Sequence, residues 1–138
     1  MADLQSLNTR TATTRVHLLD PAGKELADDA GNRMWIDVRS LDSDEYRSVE
    51  RELIDERLKR AASAGKVDQA ITAEEVERRS LDRLARCTAG WSIQLGGECP
   101  PVTIESALAL YRDYPWIAEQ VAKIIEDRAA FFGASSTG

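Results

Sequence analysis

The seven residues Leu95-Gly96-Gly97-Glu98-Cys99-Pro100-Pro101 cannot belong to a helix. Two adjacent glycines raise the entropic cost of ordering the backbone, and two adjacent prolines remove amide donors and fix φ. The segment is therefore a defined break, and the helical patterns on its two sides must belong to separate elements.

Upstream of the break, a first long helix is predicted to start near Ser43. Asp42 can accept a bond from the open N-terminus, and Glu45 stands three residues on, as in a capping box. Tyr46, Val49, Leu53, Ile54 and Leu58 recur at spacings of three to four, with charged residues between them, which predicts one packed face and one wet face. Ala64-Gly65-Lys66 is expected to end this helix. Thr72 and Glu75 form a second capping-box pattern, opening a helix that runs through Val76, Leu81, Leu84 and Ala85 toward Trp91. The two helices are expected to pack antiparallel.

Downstream of the break, Thr103 caps a short helix with Ile104, Ala107, Leu108 and Tyr111 on its apolar side, ending before Asp113-Tyr114-Pro115. Pro115 suits the first turn of a last helix, which carries Trp116, Ile117, Val121, Ile124 and Ile125 and continues to Phe131-Phe132. Nearer the N-terminus, Arg15-Val16-His17-Leu18-Leu19 and Met34-Trp35-Ile36-Asp37-Val38 are β-compatible runs. Asp20-Pro21-Ala22-Gly23 is a turn signal, and Asp28 to Asn32 makes the connection too long for a two-residue turn. The expected fold class is mainly α (α+β): a short N-terminal β-hairpin or ribbon followed by a bundle of about four helices. The expected division is a flexible arm over residues 1–14, a single domain over 15–132 (β segment 15–38, helical part 43–132) and a disordered tail over 133–138.

Length and composition agree with one folded domain. The chain has 138 residues, 43% of them apolar and 30% charged, which is ordinary for a soluble protein. With 24 acidic and 18 basic side chains the formal charge is -6, which argues against a general electrostatic hold on nucleic acid or on an anionic membrane surface. No apolar run approaches the ~18 residues of a membrane span, and the N-terminus does not resemble a secretory signal. The two cysteines are too few for a disulfide scaffold, so the cytoplasm is the expected compartment.

Chemistry is hard to place on this chain. His17, the one histidine, has no partner that the sequence can assign to it, and a structural or surface role is expected. Cys87 and Cys99 form no CxxC pair and have no second histidine to complete a zinc site. Cys87 is expected in the core, and Cys99, in the Gly/Pro loop, is the more exposed thiol. Gly65-Lys66 is not a phosphate loop, because Arg60 stands where glycine is required and Val67 where Ser or Thr is. Asp20, Asp28 and Asp29 lack the ligand alternation of a calcium loop. The expectation is a protein with no catalytic residue, no cofactor and no metal.

Large aromatic residues near the helix ends are the feature left over: Trp91, Tyr111, Tyr114, Trp116, Phe131 and Phe132. Most aromatics in a small helical domain serve as core anchors. Any that stay on the surface would form apolar anchors for a partner helix or another copy of the chain. The partner-binding candidates are Trp91, Trp116, Ile117, Phe131 and Phe132, with the final helix from Trp116 to Phe132 the leading surface.

The run from Arg86-Cys87-Thr88-Ala89-Gly90-Trp91 through Leu95-Gly96-Gly97, then Pro101-Val102-Thr103-Ile104-Glu105-Ser106, Tyr111 to Trp116 and Gln120-Val121 to Phe131-Phe132, resembles the tail assembly chaperones of long-tailed bacteriophages and prophages. Shared features are a helix ending in tryptophan, a short Gly-containing loop, a Pro/Thr-led helix start, an aromatic-proline junction and a last amphipathic helix ending near phenylalanine. The similarity is strongest over about residues 80 to 132. It implies a protein of the bacterial host cytoplasm that binds and solubilises the tape measure protein and helps recruit tail tube subunits. Such a protein works in many copies, is absent from the mature virion, and is accompanied by a longer product of ribosomal frameshifting.

Two alternatives remain at the level of sequence. A head-tail connector or tail-completion protein would stay in purified particles. A transcriptional or anti-host regulator needs a basic recognition helix, and the basic residues of Glu52 to Arg60 and Glu77 to Arg86 are too interleaved with acids to supply a strong one.

Overall fold

The computed structural model describes residues 4–64 and 72–131. The elements are β1 (Thr13–His17), β2 (Trp35–Arg39), α1 (Asp44–Ala64), α2 (Ala73–Cys87), β3 (Thr88–Ser92), α3 (Ile104–Asp113) and α4 (Pro115–Ile125), with 3-10 turns at Leu4–Leu7 and Arg128–Phe131. The architecture is α+β, as expected: four α-helices among the described residues and a three-stranded antiparallel sheet in the order β1-β2-β3.

The β1–β2 connection is an extension of the hairpin. Leu18, Leu26 and Met34 are interleaved by backbone bonds from Leu26 N to Leu18 O at 3.0 Å and from Met34 N to Leu26 O at 2.8 Å. Each of its two turns opens on an aspartate whose Oδ1 accepts backbone N–H bonds: Asp20 from Ala22 and Lys24, Asp28 from Ala30 and Asn32. This is the usual way an Asx turn replaces backbone pairing.

The segment from Thr88 to Trp91 corrects an expectation. α2 does not run on to Trp91; it stops at Cys87, and the next five residues are β3, paired antiparallel with β2 so that Trp91 lies opposite Ile36 and Thr88 opposite Val38. The register shifts between Asp37 and Val38. Thr88, Gly90 and Trp91 are poor enough helix formers that ladder bonds from β2 outweigh another helical turn. The Thr88 N–H turns back to the Ala85 carbonyl, and its side chain donates to the Leu84 carbonyl at 2.8 Å, closing the helix end.

Val16, Ile36, Val38 and Trp91 form the inner face of the sheet, and α2, α3 and α4 cover it with Leu84, Ala85, Cys87, Ala107, Leu110, Tyr111, Ile117, Val121 and Ile125. On the outer face Arg15 pairs with Asp37 at 2.9 Å, and its guanidinium lies 3.5 Å from the centroid of the Trp35 ring. α1 lies against α2, joined by the pairs Glu52–Arg86, Glu56–Arg79 and Arg60–Glu75. Among its described side chains, Val49 alone is a buried apolar residue.

Three local expectations differ in detail. The N-terminal cap of α1 is Ser43, whose Oγ accepts from Tyr46 N at 3.2 Å. Asp42 is engaged elsewhere, bound by Arg128 at 2.7 and 2.8 Å and by Thr9 Oγ1. α4 ends at Ile125 and does not reach Phe131, because the Ile125 carbonyl accepts from Leu41 N at 3.1 Å and the chain closes as a 3-10 turn. Within the stretch expected as an arm, Arg10 pairs with Asp44 at 3.0 Å, Ser40 donates to the Thr9 carbonyl, and Thr13 opens β1. The expected helix end at Gly65-Lys66 and the tail over 133–138 lie outside the described residues.

Candidate functional site

The hairpin extension, the segment after β3 and the α3–α4 junction meet around an apolar groove of about 200 Å³. Leu18, Leu26 and Met34 come from the extension, Ile93 and Leu95 from beyond β3, Leu110 and Tyr114 from α3 and its end, and Trp116 and Ile117 from α4.

Each wall has a local cause. Gly96 and Gly97 adopt φ of 61° and 84°, and Leu95 and Glu98 exchange two backbone bonds of 2.7 and 3.2 Å. Two consecutive positive φ angles are what a tight hairpin turn needs, so the Gly-Gly pair holds Leu95 at the rim. Trp91 donates its indole N–H to the Pro100 carbonyl at 2.8 Å, tying the returning loop to β3. Thr103 and Ser106 complete a reciprocal capping box at the start of α3. Pro115 occupies the first turn of α4, as expected, and sets Trp116 edge-on to Tyr114 with ring centroids 6.0 Å apart.

Two glutamines clasp the extension to the body. The Gln94 amide accepts from Asp29 N and donates to the Asp29 carboxylate, both at 2.7 Å. The Gln120 amide accepts from Leu19 N and donates to the Leu19 carbonyl, both at 2.8 Å. The groove is therefore framed by bonds that hold its two lips in register.

The structure separates the five candidate residues. Trp91, Ile117 and Phe131 are 7%, 5% and 6% exposed and pack in the core of their own domain. Ile117 still lends an atom surface to the groove floor, and Trp116, half-buried, forms its wall. Phe132 lies outside the described residues. Of the final helix, Ile117, Ala118, Val121 and Ile125 face inward. Leu26, Met34 and Leu95 were not singled out from sequence, because no local signal says that the hairpin extension folds over the α3–α4 junction.

Titratable groups are arranged for structure. Burial pushes the Cys87 thiol up to about 11, against a weak opposing bond to Ser43 Oγ at 3.9 Å. Cys99 is exposed, as expected. Bonds from Arg128 and Thr9 hold the Asp42 carboxyl well below the usual carboxylate range. Tyr111, pushed up by burial, bonds Thr88 Oγ1 at 2.6 Å. His17 is exposed on β1. Among the described residues no cluster of three or more His, Cys, Asp or Glu side chains could hold a metal ion, and no helix is long and apolar enough to cross a membrane.

The chain matches no protein-family model, and no curated protein and no solved structure is detectably similar to it.

Proposed function

We propose that this protein is a phage tail assembly chaperone. In this reading it binds and solubilises the tape measure protein in the host cytoplasm, helps recruit tail tube subunits, and leaves before the virion is complete. The observation that carries the proposal is the apolar groove walled by Trp116 and Leu95, which is the size of one or two large aliphatic side chains and is framed by polar clasps. A tape measure is a long helix whose apolar stripes are bare until tube subunits enclose it, and a groove of this kind takes such a stripe one side chain at a time. The resemblance supplies the biological setting; of its marked residues Tyr114 and Trp116 line the groove, while Trp91, Thr103 and Pro115 hold the neighbouring loop and helix starts.

Co-expression with the tape measure of the same phage tests the proposal. The tape measure should stay in solution and co-purify with this chain, and Leu95→Asp, at a 43% exposed rim position, should abolish co-purification while the variant keeps the thermal transition of the parent. A tape measure equally soluble without this chain, and not captured by it, refutes the reading.

A further inference from the structure

α1 carries apolar residues on two opposite sides. Val49 and Leu53 lie on the side of α2, whereas Ile54 and Leu58, expected from their spacing to share that packed face, lie on the far side and are 56% and 64% exposed. The charges divide in the same way. Glu52, Glu56 and Arg60 pair with α2. Glu50, Arg51, Asp55 and Arg57, which flank Ile54 and Leu58, form no ion pair among the described residues.

Next to Ile54 the surface is concave. Arg47, Glu50, Arg51 and Ile54 line an open hollow of about 520 Å³, walled on its other side by Arg10, Asp42 and Asp44. Their spacing of i, i+3, i+4 and i+7 is that of the four residues that make a hole for a knob from a facing helix. The α1 wall of the hollow therefore has the spacing of a helix-packing hole, with the charges of Arg10, Asp42 and Asp44 facing it.

We propose that this face docks a second copy of the chain, with the two α1 helices antiparallel about a two-fold axis at Ile54. The register follows from the rise of ~1.5 Å per residue. With Ile54 against Ile54, Leu58 of the second copy lies opposite Glu50, over the hollow, and the reverse insertion follows by symmetry. Like flanks meet in an antiparallel pair. Glu50 and Arg57 share one flank and come within one residue of the same height across the interface; Arg51 and Asp55 share the other and come within two. Glu50 and Arg57 each gain an opposite charge, two ion pairs per dimer, while Asp55 lies as near to the Asp55 of the second copy as to its Arg51, so that flank is balanced, and the helix dipoles oppose. This self-complementarity is what selects a second copy as the occupant. The proposal rests on neither the groove nor the chaperone reading.

Sedimentation velocity on the full chain over a concentration series tests it. A reversible dimer is expected; Leu58→Asp should raise its dissociation constant at least about tenfold, with an unchanged circular dichroism spectrum. Glu50→Arg and Arg57→Glu should each weaken the dimer, and the two together should restore it. In a Cys99→Ser background with a copper-phenanthroline oxidant, Ile54→Cys should give a disulfide-linked dimer. Leu58→Cys should not, since the two residues 58 lie ~12 Å apart along the axis. A strict monomer, a dimer indifferent to Leu58→Asp, a charge-swapped double variant as weak as the single ones, or equal cross-linking at both positions overturns the proposal.

Discussion

Replacing Tyr111 and Thr88, singly and together, tests the junction at which α2 gives way to β3. Both residues are buried, 1% and 7% exposed. Thr88 Oγ1 donates its one proton to the Leu84 carbonyl at 2.8 Å, so the 2.6 Å contact is a bond donated by Tyr111 Oη. Tyr111→Phe removes that donor and leaves Thr88 bonded to the helix, a loss of about 1 kcal/mol. Thr88→Val removes both bonds and strands a buried phenol, so the lost bonds and the desolvation of Oη together cost about 3 kcal/mol. The double variant has no stranded hydroxyl and should be destabilised by about 2 kcal/mol rather than by the sum, a coupling of ~2 kcal/mol. Urea unfolding followed by tryptophan fluorescence and circular dichroism measures all four corners, and the midpoint should move with the slope unchanged. Additivity within about 0.5 kcal/mol, or a Tyr111→Phe cost above that of Thr88→Val, refutes the assignment of donor and acceptor.

Two further outcomes follow from burial. Trp91→Ala and Phe131→Ala, at nearly closed core positions, should each cost ~3–5 kcal/mol in the same assay, whereas a partner anchor would leave the midpoint in place. For Cys87, the folded thiol titrates at about 11 and the unfolded one near ~8.5, so the native state holds the proton more tightly. Its contribution is complete below ~8.5 and is lost as pH rises from there to about 11, amounting to ~3 kcal/mol. Cys87→Ala should remove the alkaline slope between ~8.5 and ~10, above which the raised Tyr111 phenol adds its own, and iodoacetamide should label the native chain at Cys99 alone.

The groove was half legible. Its turn and caps were in the sequence, as Gly96-Gly97, Thr103 and Pro115, because each satisfies backbone groups within a few residues of itself. Leu26 and Met34 were not, since the bonds that place them, between Gln94 and Asp29 and between Gln120 and Leu19, join residues far apart in the chain.

The same boundary runs through the whole molecule. Sequence alone determined the α+β class, the two long helices before the break, the caps at Thr72 and Thr103, and the position of the break itself. These depend on local hydrogen bonds and on the cost of Gly and Pro, both readable in a window of a few residues. Tertiary structure decided that Thr88 to Ser92 is a strand, because its bonding partner is β2, distant in the chain. It decided that α4 stops at Ile125, where Leu41 takes the carbonyl, and that Ser43 rather than Asp42 caps α1, because Arg128 claims Asp42. It also decided which apolar residues are covered. Helical spacing marks Ile54 and Leu58 as apolar positions near Val49, but a neighbouring element has to pack on them to bury them, and in the fold they stay 56% and 64% exposed.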